Sequence, residues 1–177
     1  MTRLFIALEL SDDAKNELLR IQKKLSTGLA KITWVYKKNM HLTLKFIGEV
    51  EEDKIQLIVG KLEKIKFKKI NLCIGKMGFF PEIGIPNVIW ASVNPEKEVI
   101  ALQRVIDEEL LDLFSSEQKF QAHLTIGRVK TVKKKDEFMK IAKAVEVKQV
   151  CFEVSGFTLY KSTLERSGRV YGIIKKF

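Results

Sequence analysis

The stretch HLTLKFIG at positions 41–48 returns as HLTIGRVK at 123–130, and these two segments hold the only two histidines of the 177-residue chain. The copies lie close to half the chain apart, and each follows a helix-and-turn pattern and precedes another helix. Such a match, extending from a tripeptide to its setting, implies an internally duplicated fold of two lobes. In a strand, residues i and i+2 share a face, so His41 and Thr43 project together while Leu42 and Leu44 turn to the core. His123 and Thr125 repeat the arrangement. Two lobes related by an approximate twofold would set both pairs against one central cleft.

Outward from these segments the chain alternates short strands with amphipathic helices. RLFIALEL at 3–10 reads as a strand. Ser11 offers a helix cap, Asp12 and Asp13 suit the positive end of the helix dipole, and Ala14, Leu18, Ile21 and Leu25 recur at helical spacing. Residues 32–36 and 41–47 are expected to be extended, and 51–65 helical. Ile70, Leu72 and Ile74 alternate as a strand, GFFPEIGIP is a loop, and VIWASV at 88–93 pairs back as a hairpin. Asn94 and Pro95 suggest a cap and a first helical residue before a third helix running to Leu113. Residues 122–130 are extended, a fourth helix covers about 136–145, and strands fill 147–154, 156–161 and 169–176. The fold class is α+β, with mainly antiparallel sheets lining the cleft and helices outside, in one domain spanning 1–177.

Two imidazoles facing one gap are suited to paired acid–base chemistry. Histidine's reference pKa of about 6.5 lets one ring act as base while the other stays an acid near neutrality. Cleavage of a phosphodiester needs both roles, and threonine hydroxyls can donate to the non-bridging oxygens. Two histidines without a nearby Asp/Glu cluster make a poor metal set, so neither metal nor other cofactor is expected.

Composition excludes other classes. With 46% hydrophobic and 31% charged residues, 10 Gly and 3 Pro, the chain has the profile of a packed globular protein. Lys and Arg total 32 against 22 Asp and Glu, a formal net charge of +10. Of the basic residues 26 are Lys. This charge fits an anionic partner, nucleic acid first, and equally a Lys-rich surface adapted to heat. No run reaches the roughly 18 apolar residues of a membrane span, and Glu9, Asp12 and Asp13 interrupt any signal-peptide layout. A cytoplasmic monomer without an obligate protein partner is the expectation. Cys73 and Cys151 lie in apolar stretches without CxxC spacing, which favours buried free thiols over a disulfide or zinc site.

The paired HxT motifs, together with RLFIALEL, Trp34 and Asn39 before HLTLKFIGEV, the GFFP and VIWASV pieces, and the carboxy-terminal FTLYKSTLERSGRVY, resemble the 2H phosphoesterase superfamily. The likeness is specifically to the RNA 2′,3′-cyclic phosphodiesterases, once called 2′-5′ RNA ligases, and covers nearly the whole chain. It implies a bilobal fold and hydrolysis of RNA 2′,3′-cyclic phosphate ends to 2′-phosphomonoesters, with ATP-independent 2′-5′ ligation as a further capability. By this resemblance His41 is the proton donor, His123 the proton acceptor, and Thr43 and Thr125 hold the phosphate. Ala122 stands where relatives commonly carry proline. Arg128 matches an arginine that commonly follows the second motif, yet strict alternation turns it away from His123 and Thr125. A bulge at Gly127 would re-aim it towards phosphate, and a structural ion pair is the alternative.

Phe79 and Phe80 are candidates to stack on a nucleobase, with core packing the alternative for one of them. For Trp34 and Trp90 packing is favoured, and Lys133–Lys135 reads as a solvated helix start or an RNA-backbone contact. Two other functions remain open on the residues alone: a non-catalytic RNA- or nucleotide-binding module, and a phosphodiesterase for small cyclic nucleotides or ADP-ribose cyclic phosphate.

Overall fold

A computed structural model describes residues 1–116, 119–166 and 168–177. Chain order is β1 (Thr2–Glu9), α1 (Asp12–Leu25), β2 (Ala30–Trp34), a 3-10 turn (Lys37–Asn39), β3 (His41–Val50), α2 (Glu52–Leu62), β4 (Ile70–Phe80), β5 (Val88–Asn94), α3 (Glu96–Glu109), β6 (Leu124–Val132), α4 (Lys135–Ala144), β7 (Cys151–Val154), β8 (Thr158–Glu165) and β9 (Gly168–Lys176). The helices start where their chemistry places them. Ser11 caps α1 by accepting a hydrogen bond from the Ala14 amide, and acidic residues open the first turns of all four helices.

Several boundaries differ from the sequence pattern, among them the strand expected over 147–154, which starts at Cys151, and the one expected over 156–161, which runs from Thr158 to Glu165. Asn94 ends β5, so Pro95 is itself the cap residue of α3, and that helix stops at Glu109 rather than Leu113. Helix α2 stops at Leu62. Strand β4 absorbs Gly78, Phe79 and Phe80, expected in the loop, because they pair with Trp90, Ile89 and Val88 across the hairpin.

The strands form one antiparallel sheet in the order β7-β4-β5-β6-β3-β1-β8-β9, with β2 added on β6. Strands β3 and β6 meet through a single pair, Leu42 opposite Leu124, the central residues of the two repeated tripeptides. Carrying that antiparallel register one residue each way sets His41 across from Thr125 and Thr43 across from His123.

On the other face of the sheet, Leu42, Leu44, Leu124 and Ile126 are fully buried in the core that the helices cover. The helices pack crosswise: α1 lies on β6, and α3 lies on β3. Two buried polar links fasten this packing. Gln22 of α1 donates to the carbonyls of Val35 and Ile126, at 2.8 and 3.0 Å. Lys45 of β3 forms a buried ion pair with Asp107 of α3 and donates to the Ser115 carbonyl at 2.9 Å, and Gln103 donates to the second Asp107 oxygen at 3.0 Å.

The expectation of buried free thiols is overturned. Cys73 and Cys151 stand opposite each other on β4 and β7 and form a disulfide, with Cys151 exposed. Residues 78 apart in sequence reveal no partnership until the strand register places them side by side. Closing so long a loop restricts the unfolded chain, so reduction or Cys73→Ser is expected to cost about 2–4 kcal/mol. Thermal melts with and without dithiothreitol should differ by about 5–15 °C. A shift under about 2 °C would show that the bond contributes nothing to the fold.

Candidate active site

Both histidines sit at the mouths of their strands and are oriented by the same device. The Nδ1–H of His41 donates to the carbonyl of Asn39 at 2.7 Å, and that of His123 to the carbonyl of Gln121 at 2.8 Å. In each case the acceptor lies two residues earlier. The hydrogen bond fixes the tautomer and leaves Nε2 as the acceptor nitrogen of a neutral ring. The Nε2 of His41 accepts from the Thr43 hydroxyl at 3.0 Å. His41, Thr43, His123 and Thr125 line one cavity of about 470 Å³, as the tripeptide repeat implies.

The two imidazoles have different surroundings. His41 packs against the ring of Phe5, with centroids 4.9 Å apart, and meets Tyr171 edge-on at 5.3 Å. Burial pushes its pKa down to about 4, opposed by the bond to the Asn39 carbonyl and reinforced by positive charge on His123 and Lys15. His41 is therefore neutral in the free protein near pH 7. His123 lies 5.4 Å from Phe80 and 6.2 Å from Trp90, both edge-on.

Strict alternation gives the wrong face for Arg128, and the reason is a bulge. Trp90 stands opposite Thr125 and Ile89 opposite Gly127, which leaves Ile126 as an extra residue on β6. From there the alternation is reset, and Arg128 lines the cavity with Thr125. The bulge carbonyl of Ile126 is the group that Gln22 and the Val35 amide both bind. Gly127 admits the Trp34 ring: a Cβ there would come within 2.7 Å of it. Strand β3 carries the same irregularity, since Ala7 faces Thr43 and Ile6 faces Lys45, leaving Leu44 as the extra residue. Phe46, the counterpart of Arg128, is likewise brought to the cavity wall.

The matched motifs, the shared tautomer device and the paired bulges are accompanied by similarity along the whole chain. The sequence model of the family described as LigT-like phosphoesterases matches two successive segments, residues 8–90 and 92–171. The chain belongs to that family. It is 34% identical over 177 residues to the RNA 2′,3′-cyclic phosphodiesterase of Archaeoglobus fulgidus, covering 99% of each chain. Identity to the protein of the same description from Methanocaldococcus jannaschii is 33%, again over 99% of each. The fold is that of E. coli LigT in its apo form, with a TM-score of 0.79, 22% identity, and coverage of 99% of this chain and 96% of that one.

This LigT-like phosphoesterase places its remaining candidate residues unevenly. Phe80 stacks on Trp90 with centroids 4.8 Å apart and also meets His123 edge-on. Phe79, one residue earlier, points to the opposite face and packs against the core. Trp90 is buried and Trp34 packs on the core, as packing residues should. Sequence reasoning passed over Phe5, Phe46 and Tyr171 as functional residues, because aromatic residues in apolar strands read as core. It also passed over Gln22, although a polar residue inside the apolar stripe of α1 is a visible signal of a buried hydrogen-bonding task.

Proposed function

We propose that this LigT-like phosphoesterase opens RNA 2′,3′-cyclic phosphate ends to 2′-phosphomonoesters. The observation that carries the reading is one cavity lined by two imidazoles, two threonines and Arg128, with no carboxylate among its described lining residues. In the reaction His123 takes a proton from water as the water oxygen bonds to phosphorus. The bond from phosphorus to O3′ breaks, and His41 gives its proton to O3′. Thr43, Thr125 and the Arg128 guanidinium offset the charge on the non-bridging oxygens. An RNA 5′-hydroxyl in place of water yields a 2′-5′ linkage by the same proton transfers. Phe80 is the candidate base-stacking residue, with Phe46 beside the phosphate site. The two successive family matches and the paired bulges support a single domain of two pseudo-symmetric lobes, each contributing one HxT motif. Among the described residues no helix is long and apolar enough to cross a membrane. A monomer acting on cytoplasmic RNA is the working context.

Incubating the protein with an oligoribonucleotide ending in a 2′,3′-cyclic phosphate, and mapping the product phosphate, tests the reading. The expected product is the 2′-monoester. A 3′-monoester or an untouched substrate overturns it.

The low pKa of His41 makes a pH prediction. Turnover needs one proton on the pair, on His41, with His123 neutral. In the free enzyme a second proton is gained only as pH falls through the pKa of His41, so the acid limb of kcat/KM is expected near pH 4 rather than near 6.5. The bound phosphate anion favours protonated imidazole and raises the pKa, so the acid limb of kcat lies at higher pH. Both limbs belong to the coupled pair. Coincident acid limbs for kcat and kcat/KM near 6.5 would refute this electrostatic account.

A further inference from the structure

The cavity wall selects arginine over lysine in a way that one reacting phosphate does not require. Of six arginines in the chain, Arg3, Arg128 and Arg169 line the cavity, while none of the 26 lysines does. The bulge at Ile126 sets Arg128 beside the His-Thr pairs. Arg3 and Arg169 belong to the opposite wall, where Arg3, Ser162 and Tyr171 stand side by side on β1, β8 and β9. Arg169 shares the cavity face with Tyr171, two residues further along β9.

This second pair is displaced from the chemistry by a definite step. Phe5 lies against His41, and Arg3 stands two residues away from Phe5, about 7 Å along the strand. Arg3 is anchored through Nε to Glu49 at 3.0 Å, which, among the described residues, leaves its terminal nitrogens available. Arg169 donates to the Ser162 hydroxyl at 3.4 Å and, among the described residues, has no carboxylate partner. Its backbone is held at the rim by Asn39, whose side chain donates to the Arg169 carbonyl at 2.8 Å. Asn39 also supplies the carbonyl that orients His41, so one residue ties the catalytic imidazole to the arginine-bearing strand. A guanidinium fork matches a phosphate better than an ammonium does, which gives the bias towards arginine a chemical meaning.

We propose that Arg169 and Arg3 hold the phosphodiester immediately 5′ of the reacting nucleotide, so that the cleft prefers an RNA chain end to a free cyclic mononucleotide. This rests on the cyclic-phosphate reading above and names the part of the substrate that reading leaves open. Each charge-assisted contact to the upstream phosphate is lost when the side chain or the phosphate charge is removed.

The test compares a 2′,3′-cyclic mononucleotide with a dinucleotide ending in 2′,3′-cyclic phosphate, and with the same dinucleotide carrying an uncharged methylphosphonate linkage. Arg169→Gln is expected to lower kcat/KM for the dinucleotide roughly 10- to 100-fold, the range of a charge-assisted hydrogen bond. The mononucleotide should lose less than about threefold. The methylphosphonate should penalise the wild type by a similar factor and add little to the loss in Arg169→Gln, with Arg3→Gln showing the same pattern more weakly. Equal losses on mononucleotide and dinucleotide, or a methylphosphonate penalty undiminished in both variants, overturn the proposal. Binding of a dinucleotide ending in 2′-phosphate, followed by fluorescence anisotropy, should weaken at least tenfold in Arg169→Gln. If the wild type turns over neither cyclic substrate, the activity reading fails, and this binding measurement alone decides for or against Arg169.

Discussion

Replacing either His41 or His123 by alanine is expected to lower kcat by roughly 10²- to 10⁴-fold while leaving the fold intact. Neither ring carries core packing alone, and each donates through Nδ1 to a carbonyl on its own short segment, so the loss is chemical. The double variant should be little worse than the singles, because the two proton transfers serve one displacement. A chromogenic phosphodiester with a much better leaving group separates the roles. It should restore His41→Ala preferentially, since that variant lacks the proton for the departing oxygen. His123→Ala should gain little, because it lacks activation of water. The opposite pattern would exchange the two assignments, and a single variant retaining more than about a tenth of wild-type kcat would remove that histidine from the mechanism.

The second large effect concerns stability. Lys45 is 3% exposed and Asp107 8%, and their ion pair ties β3, which carries the first HxT motif, to α3 from the second half of the chain. Asp107→Ala takes the carboxylate from a buried ammonium, and Lys45→Met takes the ammonium from a buried carboxylate that Gln103 still contacts. Each is expected to cost about 3–5 kcal/mol. Combining Lys45→Met with Asp107→Leu removes both charges and should recover most of that loss. Urea unfolding of the three variants measures it. Single variants within about 1 kcal/mol of wild type would show that water or neighbouring groups already solvate the charges.

How much could be read before folding depends on whether the information is local. The strand and helix pattern is local: Ser11 caps α1 because its hydroxyl meets an amide three residues on, and the Leu-Thr alternation after each histidine needs only the two-residue period of a strand. The repeat of His-Leu-Thr was visible for the same reason, and it brought four cavity residues into view at once. Where a helix ends was less legible, because apolar residues keep helical spacing to Ile65 and Leu113 although α2 stops at Leu62 and α3 at Glu109.

The sequence by itself determined the α+β class, the pairing of two histidines with two threonines, and the family resemblance that the full-length similarity bears out. Tertiary structure alone decided three matters. Arg128 reaches the cavity because a bulge at Ile126, secured from α1 by Gln22, resets the alternation that a regular strand would keep. Cys73 and Cys151 are bonded because strand register, fixed by distant pairings, places them opposite one another. His41 is held neutral because rings from β1 and β9 close around it, and desolvation by residues far along the chain is a property that no local stretch of sequence carries.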